Sequence, residues 1–202
     1  MISVAIQAGG ESRRMEQDKA FLPFLGETLL ERVLSRVAPL ADELLVTTNH
    51  PERYLNFGVP LFQDVLPGRG ALGGLLTALS VAQFPILIVV ACDMPFVNPD
   101  ILTAACDQLQ SQNADVVIPQ LKQGYEPFHA VYRRETCLPA VQKALDHGER
   151  RLISWFPSVN VSPFAEEDLL QYDPLQVAFW NVNTKEDLRR AEKFAREIDP
   201  KA

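Results

Sequence analysis

The sequence predicts an α/β protein built on a single doubly wound, mostly parallel sheet with helices on both faces. Short β-branched apolar runs at residues 2–6, 43–47 and 85–91 are nearly continuous, as strands covered on both faces are. Helical patterns with apolar residues three and four apart fill 28–38, 72–82 and 100–112. Strand and helix alternate, which is the signature of βαβ units. Further strands are expected at 115–119, 128–132 and 177–181, and helices at 135–146 and 185–197. Asn183-Thr184 ahead of Lys185-Glu186-Asp187 supplies a cap and first-turn acids for the last helix. The stretch 158–174 mixes Pro, Ser and acids and is expected to cross the surface without regular structure.

Length and composition fit one domain over residues 1–202, with 47% apolar residues to build its core. Nineteen basic against 26 acidic side chains leave a net charge of -7, which disfavours nucleic acid and anionic membranes as partners. An anionic ligand then needs a local basic site. Cys92, Cys106 and Cys137 are odd in number and form no CxxC, so neither a disulfide framework nor a zinc site is expected. The apolar run at 2–6 is too short for a signal or a membrane span, and a cytoplasmic protein is the expectation.

Ligands of open α/β sheets bind beyond the carboxyl ends of the strands. After the first strand the chain reads Gln7-Ala8-Gly9-Gly10. Paired glycines let the backbone turn with its amides bared toward phosphate oxygens. Arg13, Arg14 and Lys19 add the positive charge that the acidic chain otherwise lacks. No Gly-Lys-Ser/Thr closes the loop, so Walker-type ATPase or kinase chemistry is disfavoured. After the strand at 85–91, Cys92-Asp93-Met94-Pro95 places one carboxylate at the mouth of the sheet. Asp93 could cap the next helix, but Asn98 and Asp100 sit closer for that task. A single Asp suffices for Mg²⁺, which keeps waters and takes substrate phosphates. Between these segments, 68–73 fits G-x-G-x-x-G with Asp93 twenty residues on, the fingerprint of an NAD(P)-dependent oxidoreductase. Residues 64–67 intervene between strand and glycines, which weighs against it.

The loop 7–19 resembles the signature of the molybdenum cofactor guanylyltransferases, members of the NTP-transferase fold: Leu-Ala-Gly-Gly-x-Ser-x-Arg-Met-Gly-x-Asp-Lys. Gln7 stands for the leucine and Glu16 for the last glycine. The resemblance implies that Gln7, Ala8, Gly9, Gly10, Lys19, Asp64, Gly73 and Asp93 bind the nucleotide. It assigns catalysis to Lys19, Arg13 and Asp93, with Asp93 holding Mg²⁺, or Mn²⁺ in its place. Gly10 marks the guanine-using form. Gly148-Glu149-Arg150-Arg151 and Asn181-Val182-Asn183-Thr184, which alone read as a helix end and a helix cap, also match the family. Arg151, Asn181 and Asn183 then become acceptor-binding candidates. Residues 1–112 would form the nucleotide half and 113–202 the acceptor half.

The implied reaction joins GTP and molybdopterin into the guanine dinucleotide cofactor and releases pyrophosphate. Transient contact with a molybdopterin-carrying or molybdoenzyme-maturation protein is an accompanying expectation. A phosphate nucleophile is already anionic at neutral pH, so the lack of a histidine in the glycine loop or next to Asp93 in sequence fits a transferase. A cytidylyltransferase or sugar-phosphate nucleotidyltransferase of the same fold, and a non-catalytic nucleotide-binding module, remain alternatives beside the oxidoreductase.

Overall fold

The structure, a computed structural model, describes residues 1–8 and 18–198. The elements in order are β1 (Ile2–Gln7), β2 (Pro23–Phe24), β3 (Glu27–Thr28), α1 (Leu29–Val37), β4 (Glu43–Thr47), β5 (Leu61–Phe62), α2 (Gly70–Val81), β6 (Ile86–Ala91) and α3 (Pro99–Ser111). There follow β7 (Val116–Leu121), β8 (Gly124–Tyr125), β9 (His129–Arg133), α4 (Arg134–Asp146), β10 (Val161–Ala165), α5 (Glu166–Leu169) and α6 (Lys185–Ile198). Helix starts follow their caps. Thr28 and Glu31 make a reciprocal capping box on α1, and Asn98 Oδ1 accepts from the amides of Asp100 and Ile101 on α3. The capping role weighed for Asp93 thus belongs to Asn98.

The main sheet runs β10-β7-β9-β6-β1-β4-β5, with β8 beside β7. β1 pairs in parallel with β4 and β6, β4 with β5, and β10 with β7, whereas β9 is antiparallel to both β6 and β7. The expected parallel core is present. The reversal of β9 matters for the site, because it presents its N-terminal end where its neighbours present their C-terminal ends. Strand residues alternate between two apolar layers. Val4 and Ile6 pack with α1 and α3, while Ala5 and Val89 pack with α2 and α4. A smaller cluster joins Leu22 and Phe24 to Phe96, Val182 and α6. Consecutive arginines at the end of β9 serve both layers. Arg133 Nε donates to the Ala114 carbonyl just past α3, and Arg134 Nε donates to the Leu79 carbonyl in the last turn of α2, an end otherwise short of donors.

Two expectations for the C-terminal half fail. Residues 177–181 form no strand; Gln176 has a φ of 53°, and the Ala178 amide donates to Asp173 Oδ2, so the chain turns instead of extending. Its apolar side chains serve packing, with Phe179 edge-on to His129 and Trp180 tilted against Phe96. The stretch 158–174 carries the sheet's edge strand β10 and the short α5. An edge strand tolerates the Pro163 that argued against regular structure, because one side of the strand needs no donor.

His129 is fully buried on β9, and neither ring nitrogen has a partner among the described residues. Burial lowers its pKa to about 4. The folded protein therefore holds a neutral imidazole, whereas the unfolded chain takes up a proton below about 6.5. Stability on this account is constant above about pH 6.5 and falls progressively toward pH 4, by about 3 kcal/mol in all. Urea melts of His129→Met against the native protein between pH 7 and 4 should show the difference in stability shrinking by that amount. Parallel curves would show that the ring is not buried neutral.

Candidate active site

The C-terminal ends of β1, β4 and β6 open into a cavity of about 1000 Å³, and Phe128, at the N-terminal end of reversed β9, closes one side. The strand ends are stitched together just where they leave the sheet. The Ala8 amide donates to the Thr47 carbonyl at 2.8 Å, and the Cys92 amide to the Gln7 carbonyl at 3.1 Å. Gln7, Ala8, Lys19, Asp64, Asp93 and Asn181, all chosen from sequence, line this cavity. Gly9, Gly10, Arg13, Arg14 and Glu16 lie outside the described residues.

Lys19 Nζ donates to Asp93 Oδ2 at 2.9 Å and to Asn183 Oδ1 at 2.6 Å. The contact joins segments 74 and 164 residues away in the chain to the same ammonium. Both side chains of the ion pair are mostly shielded, with 19% and 16% exposed, so water screens the pair less than it would at an open surface. The 181–184 segment is also fixed from both ends. The Val182 amide donates to the Asp93 carbonyl, and Asp187 Oδ2 accepts from the amides of Asn183 and Thr184 at the start of α6. Thr184 Oγ1 accepts in return from the Asp187 amide, which completes the expected cap.

Lys19 is held from below by residues to which the sequence reading gave no role. Asp18 caps the short 3₁₀ turn that Lys19 opens, accepting from the Ala20 amide through Oδ1. Its Oδ2 accepts from the Tyr54 hydroxyl at 2.7 Å and faces the Arg53 guanidinium at 3.3 Å. Tyr54 is fully buried, and burial together with Asp18 pushes its phenol well above the usual range. The hydroxyl stays protonated and keeps donating. In sequence, Tyr54 is one aromatic in a polar stretch, with nothing to link it to Lys19.

Asn49 and Asp64 line the same cavity, as do Gly70 and Ala71 in the first turn of α2. Burial raises the Asp64 carboxyl above its ordinary range, against hydrogen bonding with Thr77 and Asn49 that pulls it down. Asn49 was missed, although its place just beyond β4 is the signal that could have marked it. His50 also reaches the rim, exposed and paired with Glu52 at 3.4 Å, so one histidine does stand at the cavity despite its distance from Asp93 in sequence. Cys92 is buried, and burial followed by the Asp93 charge holds its thiol well above the usual range, which suits a filler and not a nucleophile.

Three chosen residues are not part of the lining of this cavity. Arg150, not Arg151, lines the cavity. Asn183 accepts from Lys19 through its amide oxygen. Gly73 lies behind the lining, where a Cβ would come 2.8 Å from Arg69 Cβ and 3.1 Å from the Leu66 carbonyl oxygen. Its role is to let α2 begin directly on the preceding loop. Gly73→Ala should destabilise the protein by about 1–3 kcal/mol, read as a lowered urea midpoint; an unchanged midpoint would refute the close approach. Residues 63–69 separate β5 from α2, so the glycines of 68–73 do not follow a strand as a dinucleotide fingerprint requires.

Among the described residues no three His, Cys, Asp or Glu side chains converge as a protein-only metal cage, and no helix is long and apolar enough to cross a membrane. What the cavity offers is a shielded cation held between hard oxygens, together with amides and a further carboxylate in the lining. That arrangement suits a phosphorylated ligand with a polar base.

Comparison with known proteins agrees. The family model described as the MobA-like NTP transferase domain matches residues 4–161. A probable molybdenum cofactor guanylyltransferase of Pelotomaculum thermopropionicum is 36% identical over 94% of this chain and 91% of its own. The molybdenum cofactor guanylyltransferase of Desulfosudis oleivorans is 35% identical over 93% and 92%. Among solved structures, the molybdopterin-guanine dinucleotide biosynthesis protein A of Archaeoglobus fulgidus superposes with a TM-score of 0.84 at 27% identity, covering 96% of this chain and 99% of that one.

Proposed function

This chain belongs to the MobA-like NTP transferase family, and from that premise we propose that it transfers GMP from GTP to the phosphate of molybdopterin, releasing pyrophosphate. The observation that carries this reading is the Lys19 ammonium held between Asp93 and Asn183 at the mouth of the cavity. Relatives that cover nearly the whole chain supply the base and the acceptor. The half before residue 112 then receives the nucleotide, and the half after it supplies Arg150 and Asn181 toward the acceptor. A molybdopterin-carrying protein would deliver that acceptor to the open side of the same cavity.

Chemically the site works by placement and charge. A phosphate monoester has a second pKa of about 6, so the attacking oxygen is anionic at neutral pH and needs no base. His50 at the rim is not required for the step. Lys19 neutralises the phosphates as negative charge gathers on the departing pyrophosphate. Asp93 meets Lys19 through Oδ2, and its other carboxylate oxygen is a hard donor that would suit Mg²⁺ when the nucleotide completes the shell. Bound there, Mg²⁺ would supply Lewis-acid charge stabilisation at the phosphates.

Purified protein supplied with Mg²⁺, molybdopterin and either GTP, CTP or ATP tests the reading by pyrophosphate release and product mass. GTP alone should give the dinucleotide. Preferred use of CTP would establish a cytidylyltransferase instead, and thermal stabilisation by NADH without turnover of any triphosphate would overturn the transferase assignment.

A further inference from the structure

Lys19 opens a 3₁₀ turn of only three residues, Lys19–Phe21, and a turn that short has little stability of its own. Tyr54 grips it at both ends. Its hydroxyl lies 2.7 Å from Oδ2 of Asp18, the cap of the turn, and its ring packs against Phe21, the last residue, with centroids 5.0 Å apart. The same hydroxyl lies 3.1 Å from the Ala8 carbonyl oxygen, so Ala8 and Asp18 meet at one phenol although nine residues separate them in the chain. The single proton goes to the carboxylate, whose charge makes the shorter and stronger bond. Phe57 packs on the same ring, and the Arg53 guanidinium stands 3.3 Å from Asp18 Oδ2 and 5.4 Å from the centre of the Phe21 ring.

Packing alone does not call for that hydroxyl. Tyr54 is fully buried in an apolar cluster, where phenylalanine would fill the same space without a polar group to desolvate. Nor does Tyr54 face a ligand, because Asp18 and Lys19 line the cavity and Tyr54 does not. What the hydroxyl reaches is the carboxylate next in sequence to the shielded ammonium. We propose that Tyr54 is a positioning residue for transfer, its hydroxyl acting through Asp18 to fix where the Lys19 ammonium meets the phosphates. The role rests on the guanylyl-transfer reading above, in which Lys19 works by placement and charge. A misplacement of about 1 Å is enough to slow such a step by up to about 10².

Tyr54→Phe keeps the ring and removes the hydroxyl. With Mg²⁺, GTP and molybdopterin, kcat for pyrophosphate release should fall about tenfold, while KM for molybdopterin is unchanged and Tm moves by only a few degrees. In a Lys19→Met background the same change should have no further effect, because the ammonium through which it acts is already gone. A purely structural loss would lower kcat by the same factor in both backgrounds. That outcome, or an unchanged kcat in Tyr54→Phe, would overturn the inference. Should Tyr54→Phe fail to fold, Asp18→Asn decides, since it keeps an oxygen for the cap and weakens the bond to the hydroxyl: kcat should fall with Lys19 present and no further with Lys19→Met, and native turnover would refute the link. Titration with inorganic tripolyphosphate separates this from the reading beneath it. Tyr54→Phe should weaken tripolyphosphate binding about threefold or more with Lys19 present and leave it unchanged in the Lys19→Met background. A native protein that turns over no triphosphate would refute guanylyl transfer, and equal tripolyphosphate affinity in native and Tyr54→Phe protein would refute the placement of Lys19 by Tyr54.

Discussion

Asp93→Asn is expected to lower kcat for pyrophosphate release by about 10³ or more while leaving Tm within a few degrees of the native value. The substitution keeps the size of the side chain and one oxygen for Lys19 Nζ, now 2.9 Å from Asp93 Oδ2, so the local packing survives. What it removes is the charge. On the proposed reading, the site without the carboxylate would lose its hold on a divalent cation, and the phosphates would lose the charge stabilisation that such a cation brings. Binding should separate the two effects. In EDTA, GTP should bind Asp93→Asn at least as tightly as the native protein, because a negative group has left the surroundings of the phosphates. Adding Mg²⁺ should improve binding only in the native protein. Turnover above a tenth of native would move the metal elsewhere.

Lys19→Met is expected to reduce kcat/KM by about 10² to 10³, with GTP affinity falling as well as kcat. The methylene stem is kept, but the ammonium shared by Asp93 and Asn183 is gone, leaving the two oxygens without the donor between them. Lys19→Arg should recover little. A planar fork cannot place one nitrogen 2.6 Å from one oxygen and 2.9 Å from another as a compact ammonium does. Steady-state kinetics and GTP titration of both variants check this. Near-native kcat in Lys19→Met would show that the cation serves folding and not transfer.

How much of this was legible beforehand depended on how local each signal was. Strands β1, β4 and β6 appear in the sequence because a buried parallel strand must be apolar on both faces, and α1 appears because its apolar spacing and its Thr28 cap are written within a dozen residues. Asp93 and Lys19 were found because each follows a central strand in a sheet whose ligand edge is known in advance. Strand β10 was hidden, since pairing with β7 pulls a Pro-containing, mixed stretch into the sheet and no local property of 161–165 announces it. The expected strand at 177–181 failed for the converse reason. Its apolar residues satisfy packing against Phe96, His129 and Phe194 while the backbone turns.

The sequence by itself determined the class of the fold, and it pointed to the strand ends as the ligand edge and to Lys19 and Asp93 as the groups proposed for phosphate chemistry. Each follows from patterns a few residues long: burial periodicity, paired glycines, a charge just beyond a strand. Only the tertiary structure decided that Asn183 grips Lys19, that Tyr54 steadies it through Asp18, that Arg150 and not Arg151 enters the cavity, and that Gly74 makes room for the amide of Gln7. These are contacts between segments dozens of residues apart. Their geometry is set by how helices seat on the sheet to close-packed density, and that seating is a property of the whole core and not of any short stretch within it.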